Sequence, residues 1–105
     1  MRLNMKLFKL LTVAALFSTS SLYAATITIK AKNNIQWTGE AAYISTNKGG
    51  ISIYAANLND KQLENLRTIK KDGCFMIIAK DQSLEKYDGV TSIMQFQNVK
   101  KVACQ

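Results

Sequence analysis

The chain has 105 residues, of which 48% are hydrophobic and 20% charged, with a formal net charge of +7, two cysteines, no proline and no histidine. Without histidine there is no Ser-His-Asp triad and no zinc site built on imidazole, and two cysteines are too few for a structural zinc site. The length suits a single domain with one modest core.

The first residues read as an export signal. Arg2, Lys6 and Lys9 form a basic region, Leu10 to Phe17 a short apolar run, and Ser18 to Ala25 a small, polar stretch suited to cleavage. The apolar run is short for a bilayer span. Cleavage is expected after Ala24, with Ala25 as the alternative, so residues 1–24 are the signal peptide and residues 25–105 one domain. No cysteine stands directly after the cleavage site to carry a lipid anchor. Setting aside Arg2, Lys6 and Lys9 lowers the formal charge from +7 to +4. The remaining positive balance permits an anionic partner without requiring one. The expected location is the periplasm or the exterior of the cell.

Thr26 to Lys32 alternates, with Ile27, Ile29 and Ala31 on one side and Thr28, Lys30 and Lys32 on the other, as in a half-buried strand. Asn33-Asn34 marks a turn or bulge. The segment Ile35 to Thr46 reads as one long second strand, bent near Gly39. Within it Tyr43 and Ser45 face one way, Ala42 and Ile44 the other. Asn47-Lys48-Gly49-Gly50 is the strongest turn signal and predicts a hairpin. The third strand, Ile51 to Ala56, sets Ile51, Ile53 and Ala55 against Ser52 and Tyr54.

A single helix follows. Asn59 is a good N-cap, and Gln62 three residues later completes a capping box. Leu58 and Leu63 are spaced as a hydrophobic staple. Leu63, Leu66 and Ile69 or Lys70 make a narrow apolar stripe. Lys70 and Lys71 suit the negative end of the helix dipole, and Gly73 is the expected stop. The helix is therefore expected from Asn59 or Asp60 to about Lys71. Cys74 to Ala79 is a short apolar run, expected as a strand covered on both faces. Lys80 to Gly89 is polar, with a turn at Asp88-Gly89. Val90 to Val99 reads as the last strand, running on toward Cys104. In an oxidising compartment Cys74 and Cys104 are expected to form a disulfide.

The fold class is thus mainly β, in the order β-β-β-α-β-β. Five short strands with a helix between the third and fourth suggest a small OB-fold-like barrel. In that barrel the last two strands are antiparallel, which brings Cys74 and Cys104 to the same end. Three strands ending in Ile51-Ser52-Ile53-Tyr54, a helix closing on Lys71-Asp72-Gly73, then Cys74-Phe75-Met76-Ile77-Ile78 resemble the small exported OB-fold proteins of Gram-negative bacteria. The size, topology and disulfide also resemble the B subunits of bacterial AB5 toxins, pentameric OB-folds that bind host glycans. The first resemblance implies a binding protein, the second a ring-forming glycan-binding subunit.

No enzymatic motif is present. The acidic residues show no catalytic spacing, and Asp60 and Glu64 suit a solvated helix face. Gly49-Gly50 lacks the Gly-Lys-Ser/Thr of a phosphate loop. No cofactor or metal motif is present. OB-folds commonly bind on their second and third strands and adjoining loops. That makes Trp37, Tyr43 and Tyr54 the candidate ligand-binding aromatics, with Lys30, Lys32 and Lys48 around them. Such a set suits an anionic ligand, a glycan or single-stranded nucleic acid. A partner protein of the cell envelope is also compatible. Trp37 shares its phase with Ile27 and Ile35, so a core position is the competing expectation for it. Lys70-Lys71 and Lys100-Lys101 read as helix-end and edge-strand solvation.

Overall fold

The computed structural model describes residues 24–105. The export signal read from residues 1–24 lies outside the described residues except for its last position. Eight strands and one helix follow in the order β1 Ala25–Lys30, β2 Gln36–Thr38, β3 Ala41–Thr46, β4 Gly49–Tyr54, α1 Asp60–Leu66, β5 Cys74–Ala79, β6 Glu85–Tyr87, β7 Val90–Ile93 and β8 Phe96–Lys101. They form two sheets. One has three strands in the order β1-β5-β8, and the other has five in the order β2-β3-β4-β7-β6. Among the described residues the mainly-β class with one helix stands, but hydrogen bonding gives two sheets rather than one closed ring of five strands.

The alternation in β3 and β4 does what period-two patterning dictates. Ala42, Ile44, Ile51 and Ile53 are buried, and their opposite neighbours Tyr43, Ser45, Ser52 and Tyr54 are only partly so. Ala42 pairs with Ile53 and Ile53 with Ile93, which makes one apolar row across three strands. The three-stranded sheet supplies the facing layer from Ile29, Phe75, Ile77, Phe96 and Val99. Leu66 and Ile69, both fully buried, close the core from the helical segment.

Two stretches join the sheets. Beyond β1, Ala31 bridges to Thr46 of β3, and the Lys32 amide donates to the Ser45 carbonyl at 2.7 Å. The chain then continues into β2, in the other sheet. Residues 90–101 likewise pass from β7 in one sheet to β8 in the other. At that crossing the Asp81 carboxylate accepts from the backbone amides of Met94 and Gln95, at 3.0 and 2.8 Å. The expected single strand from Val90 to Val99 is therefore split, because two amides there turn away from either ladder to one carboxylate.

The second expected strand is also divided. Ile35 to Thr46 is not one bent strand: β2 and β3 form an antiparallel hairpin with Trp37 opposite Ala42. Gly39 has φ 61°, a left-handed conformation that lets the chain reverse rather than bend. The polar segment after β5 contains the short strand β6, held by the β6–β7 hairpin. Asp88 and Gly89 both have positive φ, 53° and 79°, as the tight turn expected there requires.

Helix α1 begins as expected. The Gln62 amide donates to Asn59 Oδ1 at 2.8 Å, and the Asn59 amide donates to Gln62 Oε1 at 3.0 Å. It ends earlier than expected, at Leu66 instead of near Lys71. The Thr68 and Ile69 amides donate three residues back, to Asn65 and Leu66, which tightens the turn. Ile69 then turns into the core, and its carbonyl accepts from Ile35. Lys70 and Lys71 consequently lie beyond the helix, and no basic residue occupies its last turn. Gln62 also donates to the carbonyls of Phe96 and Gln97, so α1 covers the outer edge of β8.

Cys74 and Cys104 form a disulfide with their Cα atoms 5.3 Å apart. It ties the tail after β8 to the start of β5. No helix among the described residues is long and apolar enough to cross a membrane.

Candidate functional site

The six residues singled out from the sequence do not form one site. The register of the five-stranded sheet separates the aromatics by face. Tyr43 pairs with Ser52 and Tyr54 with Ala41, so both tyrosines stand on the outer face. Trp37 pairs with Ala42, on the core-facing side. Its strand is at the sheet edge, so the indole extends the apolar row Ala42, Ile53, Ile93 past the end of the core. It is 43% exposed there, and the Arg67 guanidinium lies 5.8 Å from the ring centroid. A cation over an indole face at that distance is a favourable contact. Trp37 has the phase of a core residue, and it is half covered by solvent.

On the outer face, Tyr43 lies over Gly50. A Cβ built on Gly50 would stand 2.9 Å from the Tyr43 Cε1 and Cζ atoms. Gly50 is diagonal to Tyr43 across the β3–β4 pair, and the ring covers backbone that a larger residue would displace. The Tyr43 ring is therefore committed to packing along much of its length. Tyr54 stands toward the opposite end of β4, near the β2–β3 turn. A third tyrosine, Tyr87, is 85% exposed beside the Asp88-Gly89 turn. It was passed over in the sequence because Lys80 to Gly89 carries no strand signal.

The lysines gather elsewhere. Lys30 ends β1 opposite Cys74, the first residue of β5. The Lys30 amide donates to Asn47 Oδ1 at 2.9 Å, and the Asn47 amide donates to the Lys30 carbonyl at 3.1 Å. That reciprocal pair draws the β3–β4 turn, with Lys48, onto the end of β1. Thr46 holds the turn from within. Its hydroxyl donates to the Gly49 carbonyl at 2.7 Å and accepts from the Lys48 amide at 2.9 Å. Lys30 and Lys48 thus line one open cleft of about 400 Å³, together with Thr28, Asn47 and the disulfide. Lys32 is exposed next to it, one residue past the Ala31–Thr46 bridge. No carboxylate side chain lines this cleft.

Sequence reasoning picked out Lys30 and Lys48 but missed Asn47 and Thr28. Asn47 was legible only as a turn residue; its second role depends on β1 ending beside that turn. A second, polar depression lies near the sheet crossing, lined by Asp81, Glu85, Ser92 and neighbours. Asp81 is occupied there with the Met94 and Gln95 amides. Among the described residues, no group of three or more Cys, Asp or Glu side chains is placed to hold a metal ion.

No protein-family model, curated protein or solved structure matches the chain.

Proposed function

We propose that the chain is a non-enzymatic binding domain of the OB type, exported to the periplasm or beyond, which takes an anionic ligand in the cleft between β1 and the β3–β4 turn. The observation that carries this reading is the reciprocal Lys30–Asn47 hydrogen-bond pair, which sets two lysines from distant parts of the chain on one concavity. Two ammonium groups, a hydroxyl and an amide are the donor set that phosphate, sulfate or carboxylate oxygens require. The side chains of that lining include no carboxylate and no imidazole for acid–base catalysis.

The OB reading draws support from connectivity. Residues 25–38 and 90–101 each contribute to both sheets. Counted as continuous segments with residues 41–46, 49–54 and 74–79, they make five, with β6 added as a short edge strand. The helix then falls between the third and fourth, and the fourth and fifth are antiparallel. OB barrels are partly open Greek keys, which accommodates a division into two hydrogen-bonded sheets. The disulfide supports an oxidising location.

The test is fluorescence anisotropy with two labelled anionic probes, a short single-stranded oligonucleotide and a sulfated oligosaccharide. At least one should bind, more weakly as salt rises. Lys30→Ala with Lys48→Ala should lower its affinity by about tenfold per lysine, while Trp37→Ala leaves it unchanged. No binding of either probe, or binding indifferent to both lysines, would overturn the reading.

A further inference from the structure

The cleft sits within a larger asymmetry of charge. The antiparallel pairing of β5 with β1 and β8 sets Lys30 beside Cys74, Lys101 beside Phe75 and Lys100 beside Met76. The β3–β4 turn brings Lys48 to the same end, and Lys86 Nζ reaches the Lys48 carbonyl at 3.5 Å. With Lys32, six exposed lysines surround this pole, and the exposed Lys70 and Lys71 precede Asp72 in the segment hydrogen-bonded to Ala31. The nearby acids are Asp72, two residues before Cys74, and Asp88 at the β6–β7 turn. The other carboxylates stand toward the far side. Glu40 is in the β2–β3 turn, Asp60 and Glu64 are on α1, Asp81 is at the sheet crossing, and Glu85 starts β6. Lys61, Lys80 and Arg67 partly balance them there.

We infer that this pole docks the protein onto an anionic lipid bilayer. The inference rests on the anion-binding reading above and names the partner. Its chemistry favours lipid over nucleic acid on two counts. Every one of the six cations is lysine, a hydrated point charge on a flexible stem, and none is the arginine that forks to phosphate or guanine. No stacking platform of aromatics is interleaved with them, as single-stranded nucleic acid needs. What stands among them is Tyr87, 85% exposed at the tip of the β6–β7 hairpin and adjacent to Lys86. An exposed amphipathic ring next to lysine is the composition of a membrane-interface contact. The polarised distribution also orients the molecule, because the carboxylate-bearing side is repelled by the surface that attracts the lysines.

The experiment is vesicle co-sedimentation of the protein as purified from expressing cells, its disulfide intact and its N-terminus defined by mass spectrometry. One set of vesicles contains 30% phosphatidylglycerol in phosphatidylcholine, the other phosphatidylcholine alone. Binding should be confined to the anionic set and should fall as salt is raised. A residual leader would carry Arg2, Lys6 and Lys9 and would itself favour the anionic set, so the comparison is made on protein that mass spectrometry shows to start at Ala25. Each lysine at the surface contributes about fivefold to partitioning, so Lys100→Gln with Lys101→Gln should lower it about 25-fold. That pair lies outside the cleft lining, so the affinity for the small anionic probes should not change. Tyr87→Ser should weaken partitioning further, and Lys61→Gln with Lys80→Gln should not. Equal binding to both vesicle sets, or insensitivity to Lys100 and Lys101, would overturn the bilayer assignment. So would tighter binding to duplex DNA than to vesicles at equal phosphate. Loss of probe binding as well would remove the anion reading with it.

Discussion

Tyr43 and Gly50 show how one side chain restricts another position. The ring occupies the space that a Gly50 side chain needs, so Gly50→Ala should destabilise the fold by about 1–3 kcal/mol through overpacking. In a Tyr43→Ser background the same substitution should cost much less. Denaturant unfolding of the four proteins in that cycle measures the coupling, and equal costs in both backgrounds would show that the ring does not lie there. Asn59 makes a simpler case. Its carboxamide satisfies the Gln62 amide, and Asn59→Ala should lose about 1 kcal/mol. Asp81 carries more, since one carboxylate accepts from two amides where the chain changes sheets. Asp81→Ala should cost about 2–3 kcal/mol, because charged acceptors are worth more and two donors lose their partner. Unfolding curves of that variant test it, and a wild-type midpoint would count against the role.

At the scale of elements, the sequence revealed what local pattern can carry. The capping box at Asn59, the hairpin at Asn47-Lys48, the turn at Asp88-Gly89 and the faces of β3 and β4 follow from residue type and period alone. The divided strands do not. Gly39 is compatible with a bend or with a reversal, and the choice depends on Trp37 finding Ala42 across a hairpin. The end of α1 depends on Ile69 being drawn into the core, which outweighs the helical spacing that runs on to Lys71. Strand β6 has no apolar alternation because all three of its residues are exposed, and only its pairing with β7 defines it. The candidate site was half legible for the same reason. Lysine and aromatic residues could be counted, but which face each takes is a matter of register. A one-residue difference places Trp37 opposite to Gln36 and Thr38.

For the whole molecule, the disulfide and the charge distribution are the long-range features. The bond spans 30 residues and joins the tail to β5 beside the cleft. Cys74→Ala with Cys104→Ala should lower stability by about 3–4 kcal/mol on the chain-entropy account. Chemical denaturation of the reduced and oxidised protein gives the comparison. Three of the four sheet edges are short or covered: β2 and β6 have three residues each, and Gln62 shields β8, while the six-residue edge strand β1 is met by the β3–β4 turn only at Lys30. That arrangement discourages edge-to-edge association, and light scattering should return a monomer rather than a ring. The claim on which the functional reading depends is that the end of β1 and the β3–β4 turn together form an anion site. Amide chemical shifts followed during titration with a sulfated oligosaccharide or a short oligonucleotide test it residue by residue. The account predicts saturable changes at Thr28, Lys30, Asn47 and Lys48, with the Trp37 indole unmoved; changes centred on Trp37 and Arg67, or none at saturating probe, would contradict it.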